Sequence, residues 1–188
     1  MNFLSDQELI NLCREGKPEA FTVLYERYRQ TIMNFAYRIL RDSHLSADVL
    51  QETFIYVFKK LPTYESRAKF TTLLFQVARH ISFNKLKKIK HLKIQPLPEE
   101  ISGPDTEINS NPEKILQNEE IGKNIAGALK QLPLLYREVI NLRIIQNLPY
   151  REISAILDCP LGTVKSRLHN GLEMLRTYLR SKIEQNKE

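Results

Sequence analysis

The sequence has no tryptophan, two cysteines and six glycines in 188 residues. Six glycines are too few for the many tight turns of a β-barrel or sandwich. Cys13 and Cys159 stand far apart and form no CxxC pair, so neither a zinc site nor a disulfide framework is expected. Both read as idle thiols of a reducing cytoplasm. The four histidines, His44, His80, His91 and His169, are scattered. No glycine-rich nucleotide loop, metal-ligand spacing or nucleophilic triad accompanies them, so no enzyme, cofactor or metal is expected. No apolar run approaches the ~18 residues that a membrane-crossing helix needs. The opening MNFLSDQELI lacks a basic start followed by an apolar core, so no signal peptide is expected. The expected place of work is the cytoplasm.

What is present is helical pattern and uneven charge. The hydrophobic fraction is 42%, enough for packed cores. The formal net charge is +6, but it is not spread evenly. Residues 1–90 carry +6, residues 91–120 carry −5 and residues 121–188 carry +5. Two basic blocks around an acidic middle suggest a polyanionic partner. Solvated helix faces would give the same charges.

The expected fold is all-α, with two small helical domains, 1–90 and 113–188, joined by a flexible acidic linker, 91–112. Ser5 with Glu8 fits a capping box, and Gly16 stops that first helix. Pro18 suits the first turn of a long helix carrying Phe21, Leu24, Tyr25, Tyr28, Ile32, Phe35, Ile39 and Leu40. Asp42 and Ser43 break it. Ser46 is the expected cap of the next helix, with the apolar stripe Leu50, Phe54, Val57, Phe58 and Leu61, ended by Pro62. A polar connection, 63–68, leads to a helix running to about Lys90. The stretch His91–Pro112 holds Pro96, Pro98, Gly103, Pro104 and Pro112 and reads as the linker. Helices are then expected over Glu113–Leu132, from Pro133 to about Ile145, from Pro149 to Leu157, and from Leu161 into the 180s.

The last two helices, joined by Asp158, Cys159 and Pro160, read as a helix-turn-helix. Ile153, Ile156 and Leu157 face inward on the first. Val164, Leu168, Leu172, Leu175 and Leu179 form the inner stripe of the second. Thr163 lies at its start, and Lys165, Ser166, His169 and Asn170 project outward where a major groove would be met. Arg151 and Arg167 could grip phosphates. An αα-corner with a solvated outer face remains the other reading of this periodicity.

The residues themselves resemble a known family. The run Leu148–His169, LPYREISAILDCPLGTVKSRLH, closely resembles the −35-binding domain of extracytoplasmic-function (ECF) sigma factors, in which GTVKSR-like residues open the recognition helix. Leu132 and Pro133 with Arg137, Glu138 and Val139 resemble the preceding helix. The run Asp48–Phe54, DVLQETF, resembles the sigma segment that docks on the β′ clamp helices of RNA polymerase. On a helix, Asp48, Gln51, Glu52 and Ile55 share one face, and an acidic and amide stripe on a basic domain suits a basic protein partner. A solvated helix face is the plainer alternative.

The run Phe70–Lys88 resembles the helix that opens and holds the −10 element. Its outer stripe is read as Lys69, Thr72, Gln76, Arg79, His80, Phe83, Lys87 and Lys90, with Lys88 beside it. Basic side chains there would hold phosphates, and amide or aromatic groups would meet an unpaired base. Tyr64, Arg67 and Lys69 fall where the family has its −10 specificity loop, which pockets a flipped base. Phe75 and Phe83 are left between base stacking and core packing.

Departures from the family pattern are Leu73 for a usual Trp, Thr71 for a basic residue, His80 for Asn, and Asn84 for Asp. Asp158 stands for Gly, Leu161 for an acidic residue, and Asn170 and Leu172 where basic residues are common. The resemblance implies an alternative sigma factor. It would bind RNA polymerase core through β′ and the β flap, read −35 and −10 promoter DNA, and answer to an anti-sigma factor. Two alternatives remain. One is a response-regulator-type helix-turn-helix transcription factor. The other is a helical adaptor or anti-sigma-like interaction protein.

Overall fold

The computed structural model of the chain describes residues 3–64, 69–91, 125 and 127–185. Every regular element among the described residues is helical: α1 (Asp6–Arg14), α2 (Pro18–Leu40), α3 (Ser43–Lys60), α4 (Phe70–His91), a helical segment α5 at 127–131, α6 (Leu134–Ile140), α7 (Tyr150–Leu157) and α8 (Leu161–Gln185), with a short 3-10 turn at Leu61–Thr63 and a π-helical turn at Asn141–Ile145. The expected linker beyond residue 91 and the start of the expected helix Glu113–Leu132 lie outside the described residues.

Two compact units form. The first holds α1–α4 and α7, the second α5, α6 and α8. In the first, α2 packs on α1, α3 and α4, and α3 packs on α4. Its core is Leu24, Ile32, Phe35, Ala36, Val49, Val57, Leu74, Phe75 and Ala78 with their neighbours. The Phe35 and Phe75 rings meet edge-on, with centroids 5.1 Å apart. That assigns Phe75 to the core. Burying such side chains contributes about 1.5–3 kcal/mol each.

The caps follow local chemistry. The Ser5 hydroxyl and the Glu8 carboxylate close the expected capping box around the first turn of α1. Glu8 is held below the usual carboxylate range by the hydrogen bond from the Ser5 side chain and then from its backbone N–H. Gly16, at φ +81°, turns the chain where an L side chain would be strained. At α3 the expected cap is corrected. Asp42 caps the helix, its carboxylate accepting from the Leu45 N–H at 2.8 Å. Ser46 sits inside the first turn, buried, and its hydroxyl donates to the Asp42 carbonyl. Asp accepts well at this position, which leaves the Ser hydroxyl to bond back along the helix.

Phe58 is also corrected. It is 51% exposed, with its ring edge-on to Phe21 at 4.8 Å. The buried face of α3 is Val49, Thr53, Phe54 and Val57, which puts Phe58 at its margin.

In the second unit α6 packs on α8. The expected helix from Pro133 to Ile145 widens in its last turn to a π-helix, Asn141–Ile145, where the Gln146 N–H donates to the Asn141 carbonyl at 3.0 Å. Gly171 sets the contact between α6 and α8. A Cβ there would come within 3.0 Å of the Tyr136 Cβ and 3.1 Å of the Ile140 Cδ1. Val164, Leu168 and Gly171 are therefore the buried face of α8, and Leu172, expected in the inner stripe, is exposed at its edge.

Candidate functional site

The outer face of α3 is built as the spacing predicts. Val49, Thr53 and Val57 are fully buried, so Asp48, Gln51, Glu52 and Ile55 turn outward, and all four are exposed. Tyr56 joins them as an exposed aromatic. The acids are not alone. The Lys85 ammonium, from α4, lies 3.4 Å from Asp48 Oδ2 and 2.8 Å from Glu52 Oε1. Burial works against the Lys85 charge, but the hydrogen bond and charge of Glu52, then those of Asp48, outweigh it and hold the pKa above the ordinary lysine value. A raised folded pKa stabilises the fold below the unfolded lysine pKa, and that contribution is lost only as pH rises through the folded value.

Along α4 the exposed side chains are Lys69 (just before the helix), Gln76, His80, Asn84, Lys87 and Lys88. Arg79 and Phe83 are half-buried, and the Arg79 guanidinium lies 4.7 Å over the Phe83 ring, a cation–π pair. The His80 Nε2 and the Asn84 amide nitrogen are 2.9 Å apart. Thr72 does not belong to this exposed stripe. It is 2% exposed, and its hydroxyl has no hydrogen-bond partner among the described residues. Thr72 precedes Phe75 by three residues and Ala78 by six, so it shares the edge of their buried face. Tyr64 is half-buried, and burial pushes its hydroxyl pKa up, against the opposing charge of Arg14. Arg67 and the side chain of Lys90 lie outside the described residues.

Two members of the stripe have partners on α7. The Lys69 ammonium lies 2.6 Å from Glu152 Oε1, and the Gln76 amide donates to the Ala155 carbonyl at 2.9 Å. The Glu152 side chain is only 14% exposed, whereas Lys69 stays largely in solvent. On the same helix Arg151 is exposed. Asp158, at φ +50°, ends α7 in the left-handed region where Gly is the easier residue.

At the start of α8, Lys165, Ser166, His169 and Asn170 are exposed, and Thr163 and Arg167 are half-buried. The Ser166 hydroxyl donates to the Thr163 carbonyl at 3.1 Å. The outward phase expected for these residues is the one found.

Sequence reasoning missed Lys85, Tyr56 and Glu152, and noted Asn84 only as a departure from the family pattern. Lys85 stands in the basic run of α4, and nothing local marks it as the partner of Glu52 or of Asp48, the latter 37 residues earlier. Tyr56 could have been found, because it follows Glu52 by four residues on the same face. Among the described residues no three acidic, histidine or cysteine side chains gather as metal ligands, and no helix is long and apolar enough to cross a membrane.

Comparison with known proteins gives these faces their context. Residues 24–91 match the family described as Sigma-70 region 2, and residues 123–175 match Sigma-70, region 4. The chain is 31% identical over 179 residues to the ECF RNA polymerase sigma factor SigW of Bacillus subtilis, covering 91% of this chain and 95% of that one. It is 30% identical over 178 residues to the ECF RNA polymerase sigma-E factor of Escherichia coli K12, covering 92% and 93%. The fold is similar to that of the sigma factor RpoE from Bartonella quintana, solved with the anti-sigma factor NepR (TM-score 0.69, 20% identity, covering 85% of this chain and 96% of that one). It is also similar to CnrH, solved with the cytosolic domain of CnrY (TM-score 0.66, 21% identity, covering 94% and 97%).

Regions 2 and 4, in this order along the chain, define a sigma-70-type initiation factor. Within that class the chain belongs to the ECF family of RNA polymerase sigma factors. It is a non-enzymatic factor that directs RNA polymerase in transcription initiation. Neither a response regulator nor an adaptor accounts for both matched regions.

Proposed function

We propose that this sigma factor docks on the β′ clamp helices of core polymerase through Asp48, Gln51, Glu52 and Ile55. The observation that carries this reading is their common exposure on α3, opposite Val49, Thr53 and Val57. Residues 1–90 act as the docking and −10 domain, residues 91–112 as an acidic linker, and residues 113–188 as the −35 domain that also meets the β flap. Tyr64, Arg67, Lys69 and His80 hold the flipped −10 base. Gln76, Arg79, Phe83, Lys87 and Lys88 hold the strand, with Lys69 and Gln76 exchanging their partners on α7 for DNA. Thr72 has no part in this, because its side chain is buried. Lys165, Ser166, His169 and Asn170 read −35 base edges, while Arg151, Thr163 and Arg167 position the helix on phosphates. The similar sigma factor of Bartonella quintana, solved with the anti-sigma factor NepR, supports control by an anti-sigma factor, and the site of action is the cytoplasm.

The test is charge reversal. Asp48→Lys with Glu52→Lys should weaken binding to core polymerase by about 2–5 kcal/mol, the range for truncated interface charge pairs. Lysine is a good helix former, so α3 should persist, which circular dichroism checks. A folded double variant that binds core polymerase as the parent does would overturn the docking assignment.

A further inference from the structure

We propose that Lys85 is a positioning residue for polymerase docking, holding the Asp48 and Glu52 carboxylates together on the outer face of α3. The proposal rests on the reading of that face as the docking surface. Asp48 and Glu52 stand four residues apart on one helix, so their charges repel. Their side chains are 55% and 53% exposed, and nothing on α3 itself holds them in one arrangement. Two acidic side chains free to swing apart would each have to be ordered when a partner arrives, which weakens binding.

Lys85 supplies the missing constraint from α4. Its ammonium has three donors, and one group reaches both acids, at 3.4 Å and 2.8 Å. Each pairing uses one oxygen of its carboxylate, and a carboxylate has two. One lysine against two acids leaves a net negative charge for a basic partner.

The depth of the three groups distinguishes support from blockade. A lysine that merely occupied the docking site would lie outside the acids and be more exposed than they are. Lys85 is the reverse, with a side chain 18% exposed beneath two half-exposed carboxylates. It therefore braces the pair from the protein side. It also ties α3 to α4 at the point where their outward faces change sign.

The experiment is equilibrium binding of the full chain to core polymerase in a double-mutant cycle, with thermal melting as the check on folding. Lys85→Met should lower affinity about five- to tenfold, within the range of coupling between contacting residues. Lys85→Arg should restore it to within about twofold, because a guanidinium can bridge two carboxylates. Asp48→Asn with Glu52→Gln should weaken binding, and Lys85→Met added to that pair should change nothing more. If Lys85→Met fails to fold, Lys85→Gln takes its place in the cycle.

The outcomes separate cleanly. If Asp48→Asn with Glu52→Gln binds core like the parent, the docking reading fails and this proposal falls with it. If that pair weakens binding but Lys85→Met leaves the parent affinity unchanged or tightens it, docking stands and the positioning role is overturned. Equal loss from Lys85→Met in both backgrounds would make its effect structural and would likewise overturn the proposal.

Discussion

α3 and α4 pack on one another and turn opposite chemistries outward. The outer face of α3 carries Asp48, Gln51, Glu52, Ile55 and Tyr56, while that of α4 carries Gln76, Arg79, His80, Lys87 and Lys88. The difference lies in how each face is kept. The α3 acids are held by one lysine that crosses from α4. Groups along α4 are held by several separate devices: Lys69 by Glu152, Gln76 by the Ala155 carbonyl, Arg79 over Phe83, and His80 beside Asn84. A short face of like charge needs one counter-charge. A long face of mixed groups can be settled residue by residue. The first suits a single rigid protein contact, and the second suits a strand followed over several nucleotides.

Removing the shared support would break both faces at once. Phe35→Ala takes a fully buried ring from the α2 side of the core and leaves Phe75 without its edge-on neighbour. It should cost about 3–5 kcal/mol of unfolding free energy in denaturant titration. The exposed Phe58 offers the contrast, and Phe58→Ala should cost well under half of that. Equal losses would mean that the core has been placed wrongly.

Separating the faces is the next largest effect. Arg79→Ala should lower affinity for a −10 single strand severalfold and flatten the salt dependence by about one phosphate contact, across all sequences alike. Its affinity for core polymerase should stay at the parent value. A variant that lost core binding and kept the strand would exchange the roles of the two helices.

Thr72 sharpens the boundary of the α4 face. Thr72→Val keeps the shape and removes a buried hydroxyl that has no partner among the described residues. It should raise stability by up to about 1 kcal/mol, the scale of an unsatisfied polar group. Strand affinity should not move. A clear fall in strand binding would return Thr72 to the interface.

The smallest effect concerns Glu152. Because Lys69 is mostly in solvent, its ion pair contributes only about 0.2–1 kcal/mol. Glu152→Gln should therefore tighten strand binding by no more than about fivefold, read by fluorescence anisotropy. Weaker strand binding by this variant would show that Glu152 helps to present Lys69 rather than competing for it.

The two helices also show what could be read from the sequence. The buried residues of α3 occupy a narrow arc, so the opposite face follows from spacing alone, and all four expected members are exposed. On α4 the buried arc is wider. Phe70, Thr72, Leu74, Phe75, Ala78 and Ser82 are all buried. A polar residue such as Thr72, at the edge of that arc, then looks outward to a periodicity argument although its side chain is inside. Asp42 was passed over as the cap of α3 for a related reason: Ser46 and Asp42 are both good caps, and the backbone decides between them. Lys85 was out of reach, since its partners are set by the packing of two helices. The outward set on α8 was legible because Val164 and Leu168 fix the phase of its first turns.

The most direct measurement is promoter-directed initiation. Core polymerase, the full chain and a library of genomic fragments are combined, and transcript starts are mapped. Discrete starts should appear with the chain and be absent with core alone. Their upstream DNA should share two short elements, and the Asp48→Lys, Glu52→Lys variant should abolish the starts while still binding DNA. If the chain binds DNA but core polymerase with the chain starts no more selectively than core alone, the account of α3 and α4 as docking and strand-holding faces is contradicted.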